Sequence, residues 1–266
     1  MLHICQLNIA DYISCIKMQC TWPSSDICQK IFKAIQHTNT TVNVTFDQQG
    51  LHIMTMDSSH TSLIRMELNP DFFNQWKCQV PITLGLHTEV LVNMLLKAKK
   101  SQISWHVPND TQLNIQFEKD GRVTSFSLRA IDIDDEALAI PEMVDDVGLF
   151  ASNTTVKDWM DTVMMTKGDI QFKLTKEDFK CSSETIEFGE VVVQEMMNGN
   201  HIELHNHKED VSITINHNGA KSMAIYSACG QKCYLGVSNA MPAHLKIALD
   251  DNQSYIEYFI APKMEE

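Results

Sequence analysis

The chain repeats its own order of elements, and that repeat restricts the folds open to it more than any single motif does. In the first half, Ser25 to His37 carries Ile27, Ile31 and Ile35 at helical spacing, directly after Pro23 and Ser24. VNVTF (42–46), a DQQG turn (47–50) and LHIMTM (51–56) then predict a β-hairpin. In the second half, Thr154 to Met165 places Val156, Trp159, Met160 and Val163 on one side of a helix. IQFKL (170–174), a TKED turn and FKCS (179–182) follow it. A second round has the same form. Leu86 to Ala98 predicts a helix and LNIQFEKDGRVTSFSLRAI (113–131) a long hairpin; Lys221 to Cys229 and LKIALDDNQSYIEYFIAPK (245–263) are their counterparts. The fold class is therefore α+β, with two similar domains, 15–130 and 150–266. Each carries two short helices against a strand-rich layer. Residues 131–149 connect the domains, and 1–14 form an extension with no assigned role.

With 44% hydrophobic residues in 266, the chain has ample material for two cores. No apolar run reaches the length of a membrane-spanning helix. The first residues, MLHICQLNIADYIS, lack the basic start of a secretory signal, so a cytosolic or nuclear protein with no membrane partner is expected. Eight cysteines without a paired framework read as reduced, apolar side chains, the Cys229–Cys233 pair included. No phosphate-binding loop, dinucleotide fingerprint or nucleophile elbow is present. No catalytic residue, metal or cofactor is expected. The rival reading is a metal-binding enzyme built on His201, Glu203, His205 and His207, which alternate along one strand face, with His217 nearby.

Charge narrows the function further. A net charge of −13 argues against a protein that coats DNA with its whole surface. Only three cations are arginine (65, 122, 129), so bidentate base reading is poorly supplied, whereas lysine suits phosphates. The outward set on the first helix, Gln29, Lys30, Lys33 and Gln36, has no acid, and Lys97, Lys99 and Lys100 end the second. These lysines are candidates for a phosphate-facing surface. A solvated face without function is the plainer alternative. Between the domains, AIDIDDEALAIPEMVDDVGLF (130–150) reads as an extended strap carrying Ile133, Leu138 and Ile140. Those residues either pack down or border a binding surface.

Three segments, in order, resemble one family. TFDQQGLHIMTMDSSHTSLIRMEL (45–68), with Met56-Asp57-Ser58-Ser59-His60, is similar to the first domain of the proliferating cell nuclear antigen family. AIDIDDEALAIPE (130–142) looks like that family's interdomain connecting loop, and YFIAPKMEE (258–266) like its carboxy-terminal strand and tail. The resemblance implies a DNA sliding clamp, a closed ring of three subunits with helices lining a central hole and antiparallel sheets outside. Such a ring encircles double-stranded DNA without sequence specificity and tethers replication and repair proteins. It implies DNA-facing roles for Lys30, Lys33, Lys97, Lys99, Lys100, Lys157 and Lys221. Asn93 and Leu96 stand where the family usually has lysine, and Asp158 and Asp161 where it has basic residues, so a weakly positive bore is expected. Lys157, Lys167, Lys221 and Lys232 are the available compensation.

The same resemblance implies a pocket for a partner's short helical peptide, formed by Met56, His60, Thr61, Leu63, Leu138, Ile140, Pro242, Phe259, Ala261 and Pro262. Thr61 replaces the family's usual valine. Subunit contacts fall on Ser125, Phe126, Ser127 and Leu128, set against Val191, Val192 and Val193 of the next copy. Expected partners are a DNA polymerase and other proteins bearing that peptide motif, a clamp loader, and two further copies of the chain. The expected place is the nucleus, or a cytoplasmic replication site if the host is a virus. Lys176 lies near a position the family uses for covalent regulation. A subunit of a heteromeric clamp is the alternative.

Overall fold

The computed structural model describes residues 17–134, 138, 140, 143–239, 241–251 and 253–263. The first half runs β1 (Met18–Thr21), α1 (Ser25–Thr38), β2 (Thr41–Asp47), β3 (Gly50–Met56), β4 (Ser62–Leu68), β5 (Gln75–Cys78), β6 (Ile82–His87), α2 (Thr88–Leu95), β7 (Gln102–Asn109), β8 (Gln112–Lys119) and β9 (Arg122–Arg129). The second half runs β10 (Val147–Ser152), α3 (Asn153–Val163), β11 (Ile170–Leu174), β12 (Asp178–Thr185), β13 (Gly189–Met196), β14 (Ile202–His207), β15 (Val211–Ile215), α4 (His217–Ser227), β16 (Lys232–Val237), β17 (Ala243–Ala248) and β18 (Tyr255–Ile260). Apart from single 3-10 turns at Pro70–Phe72 and Met164–Thr166, the order is the same in both halves.

Strand pairing repeats as well. β5-β1-β7-β8-β9 in the first half matches β14-β10-β16-β17-β18 in the second, and β6-β2-β3-β4 matches β15-β11-β12-β13. The halves differ at one joint. β18 pairs antiparallel with β4, Tyr258 opposite Ile64, and fuses nine strands from both halves into one sheet. The corresponding edges, β9 and β13, have no further neighbour among the described strands.

The helices lie across the sheets because their stripes are apolar on one side only. α1 buries Cys28, Ile31, Phe32 and Ile35, and α3 buries Val156, Trp159, Met160 and Val163. Ser24, Ser152 and Asn216 each accept a hydrogen bond from a first-turn amide, which fixes where α1, α3 and α4 begin. Trp22, Phe32 and Trp105 pack as a ring cluster in the first core, as do Trp159, Phe179 and Phe172 in the second. Across the joint, Thr38 and Tyr226 share a hydrogen bond of 2.8 Å, and the Tyr226 ring stacks on Tyr258 at 5.2 Å.

Two predicted helices shift. Leu86 belongs to β6, because Ile82, Leu84 and Leu86 are buried on a period of two and outweigh the helical reading. α2 then ends at Leu95, and Lys97 to Lys100 lie in a tight turn in which Lys100 takes a left-handed φ of 56°. α4 starts at His217 rather than Lys221, a turn earlier, on the Asn216 cap. The hairpin predicted over 113–131 ends its second strand at Arg129, and the Ala130 amide donates to the Thr111 carbonyl.

Candidate functional site

Four of the predicted phosphate-facing lysines sit together at the seam between the halves. Lys30 and Lys33 from α1, Lys221 from α4, and Lys157 from α3 border one groove with His37, Asp161, Met164 and Ile225. Asp26, Lys30, Lys33 and His37 form the exposed stripe of α1, so the stripe does carry one acid. Lys157 is ion-paired with Asp161 on its own helix, and the exposed Asp158 leaves α3 with one negative charge over. Burial and the neighbouring Lys221 ammonium both push the His37 imidazole below its ordinary value. Lys97 borders a different hollow, beside Lys119, Asp120 and Arg122 of the β8–β9 hairpin, and Lys99 and Lys100 line neither. The exposed side of α2 offers Glu89, Val90 and Asn93, with Leu96 after it. Lys232 lies over the Phe150 ring at 4.3 Å.

The predicted peptide pocket forms where β18 meets β4. Met56, His60, Thr61, Leu63, Ile140, Pro242, Phe259 and Ala261 line one apolar hollow, together with Ser62, Met143 and Ile260. Those last three were missed. Ser62 and Ile260 are ladder partners in the β18–β4 joint, which only tertiary pairing reveals. Leu138 borders the adjoining polar hollow with Met56 and Ile133, and Pro262 is not among the lining residues. The rim is shaped by the loop from Asp57 to Ser62. Its carboxylate accepts from the amides of Thr61 (2.9 Å) and Ser62 (2.8 Å) and from the Ser59 and Thr61 hydroxyls, while His60 takes φ 55°. Burial alone raises a carboxyl's pKa; here those donors prevail and hold Asp57 below the usual carboxylate range. Thr61 is thus turned toward Asp57 by its hydroxyl, and its carbonyl receives the Ala261 amide.

The strap starts on β6. Ile131 donates to the Gly85 carbonyl, and Asn43 reaches the Ile133 carbonyl. A side chain at Gly85 would come within 2.2 Å of the Ile131 oxygen, so only glycine lets the strap lie this close. The predicted contact strands are both edges. Along β9, Thr124, Phe126 and Leu128 turn inward and Val123, Ser125, Ser127 and Arg129 outward. On β13, Val191, Val193 and Glu195 turn inward and Val192 and Met196 outward.

The histidine cluster disperses. His201 meets Glu195, His207 meets Asp210, and His205 packs on Phe150 and Tyr234. Among the described residues, no three His, Cys, Asp or Glu side chains gather to hold a metal ion. Cys229 and Cys233 are buried free thiols, each pushed up to about 12 by that burial. No helix among the described residues is long and apolar enough to cross a membrane.

Residues 18–137 match the family model described as proliferating cell nuclear antigen, N-terminal domain. The fold matches the crystal structure of the proliferating cellular nuclear antigen from Entamoeba histolytica with a TM-score of 0.85, at 19% identity, over 94% of this chain and 100% of that one. Residues 18–137 carry the N-terminal domain of the proliferating cell nuclear antigen family, and the chain is similar to sliding clamps along nine-tenths of its length. Among its relatives, the antigen of Chaetomium thermophilum is 26% identical over 251 residues, covering 90% of this chain and 95% of the relative. The DNA polymerase sliding clamp of Methanothermobacter thermautotrophicus is 25% identical over 240 residues, with the same coverage. A probable DNA polymerase sliding clamp of Paramecium bursaria Chlorella virus 1 is 23% identical over 250 residues, covering 91% of this chain and 89% of the relative. For a clamp, the four helices have little surplus positive charge, and what they have is gathered at the α1–α4 seam.

Proposed function

We propose that three copies of this clamp close into a ring by pairing β9 of one with β13 of the next, and that the ring encircles duplex DNA and tethers replication proteins. The observation that carries this reading is the β18–β4 joint. Within one chain, the last strand of the second half already pairs with the fourth strand of the first. β9 and β13 are the same two strands of the repeat, left as edges. An exposed edge rich in Val and Phe is an aggregation hazard unless it is paired. Repeating the internal joint between copies covers both edges and keeps inward residues facing inward.

On this reading the helices face the hole, and the Lys30, Lys33 and Lys221 groove meets phosphates, with no base reading. Lys97, Lys99 and Lys100 stand at the end of that layer. Retention rests on topology, so weak lysine contacts suffice and strong ones would impede sliding. The apolar hollow between β4, β18 and the strap takes a short helical peptide with aromatic anchors from a polymerase or another replication protein. Such a scaffold has no catalytic task, needs a loader to pass DNA through it, and works wherever the genome it serves is copied. A heteromeric ring would use the same edges with a sister chain.

The test is mass and topology together. Sedimentation of the purified chain should give three times 30.2 kDa. The loaded protein should stay on closed circular DNA and run off linear DNA of the same sequence. A chain that remains single and binds both DNAs alike overturns the reading. A trimer formed only with an added sister chain makes the ring heteromeric.

A further inference from the structure

Behind the peptide pocket lies a buried polar contact that the clamp function does not require. His244, on β17, is 6% exposed. Its ring packs against Phe259 (centroids 5.5 Å apart, 32° between planes) and against Tyr234 (5.6 Å). Phe259 is a pocket-lining residue. On its other side, His244 Nδ1 stands 3.3 Å from Asp145 Oδ1, within ion-pair reach but off the line of a hydrogen bond. Neither atom has a hydrogen-bond partner among the described residues.

Asp145 is where the strap is fastened. Its second oxygen accepts from the Tyr234 hydroxyl at 2.8 Å, and its carbonyl accepts from Asn206 at 3.1 Å. A side chain at Gly236 would fall 2.5 Å from the carboxylate, so the strand beneath is kept bare for it. The next residue, Asp146, is held by Val237 and Ser238. Met143, two residues before Asp145, is a wall of the pocket. His244 therefore touches the pocket lining through Phe259 and the root of the strap that carries Met143 through Asp145.

We propose that His244 is a positioning residue for the peptide pocket: its charge draws the Asp145 anchor, and with it Met143, toward Phe259. This rests on the peptide-pocket reading above. A buried carboxylate beside a neutral imidazole gains little, whereas beside an imidazolium it gains an ion pair in a site of low dielectric. Histidine is the side chain that changes charge near neutral pH. The other titratable groups on this face are few. Tyr234 on β16 has its pKa raised by burial, then by its bond to Asp145 and that carboxylate's charge, so it stays a neutral donor. Lys246 lies two residues along β17 and is paired with Glu257 of β18. His205 of β14 packs edge-on against the Tyr234 ring.

The experiment is a fluorescence-anisotropy titration of the full-length clamp with a short synthetic peptide carrying two aromatic anchors one helical turn apart, from pH 5.5 to 8. Affinity should rise about fivefold as pH falls across that range. The rise should vanish in both His244→Gln and Asp145→Asn, with thermal melts showing both folded. His60 also lines the pocket, so His60→Gln should keep the pH dependence. A flat wild-type profile, or a slope unchanged in His244→Gln and Asp145→Asn, overturns the proposal. No peptide binding at any pH would instead overturn the pocket reading on which it rests.

Discussion

A single histidine shows how this clamp stores pH dependence in its sheet. His52 on β3 lies between two carboxylates, bonded to Glu67 and 3.0 Å from Asp47. The bond to Glu67 raises its pKa; burial opposes that, and Asp47 adds to it. A histidine held more basic in the folded state stabilises fully below its unfolded value, and the contribution is lost as pH rises through the folded one. The melting temperature should therefore fall between about pH 6 and pH 8 in the wild type, and fall less in His52→Gln. Equal slopes in the two proteins would refute the assignment. A second prediction concerns Gly85, where an added methyl meets the Ile131 carbonyl. Gly85→Ala should cost about 1–3 kcal/mol by thermal or urea unfolding. It should also weaken peptide binding, because the strap starts there.

At the scale of elements, the edges carry the prediction. Val193 is half-buried on β13, among the inward residues of an open edge. Val193→Asp should leave the helical circular-dichroism signal intact while abolishing assembly in sedimentation, since a charge there meets the apolar Phe126 and Leu128 of the neighbour. A trimer that survives it would place the contact elsewhere. Much at this scale is legible in the chain itself. The hairpins at 42–56 and 170–182 and the stripes of α1 and α3 are set by local periodicity, and the structure has them where the pattern puts them. Leu86 could be misassigned because the strand runs directly into the helix with no Gly or Pro between them: His87 ends β6 and Thr88 begins α2. Lys97 to Lys100 went with it. Of the pocket, the residues on familiar motifs are readable. Ser62 and Ile260 enter only through the β18–β4 pairing, and Met143 through the path of the strap, neither of which a local signal encodes. The spread of the histidines is similar: alternation along β14 puts them on a face but says nothing of the acids each one meets.

For the whole molecule, the open question is how an acidic clamp holds a polyanion. Lys157 is neutralised by Asp161, and α2 presents no lysine, so the usable charge is the Lys30, Lys33 and Lys221 group. Reversing Lys30 and Lys221 to Glu should lower affinity for short linear duplex by at least about tenfold at low salt. Reversing Lys157 should change it far less. Both should retain loaded circular DNA once a ring is closed. His37 adds a sign. It is held below its ordinary pKa in the free protein, so a phosphate that offsets Lys221 favours its proton, and duplex affinity should rise as pH drops from 7 to 6. His37→Gln should remove that rise in a filter-binding series.

The two kinds of seam differ in one respect that hydrogen-bond geometry hides. Where β18 meets β4, the partners belong to one covalent chain, so each sees the other at a fixed effective concentration however dilute the solution. In the proposed ring, β9 would meet β13 of a separate chain, and mass action would govern whether they stay. Dilution would then act on only that class of seam. Whole two-lobed chains would come apart, and half-chains would not.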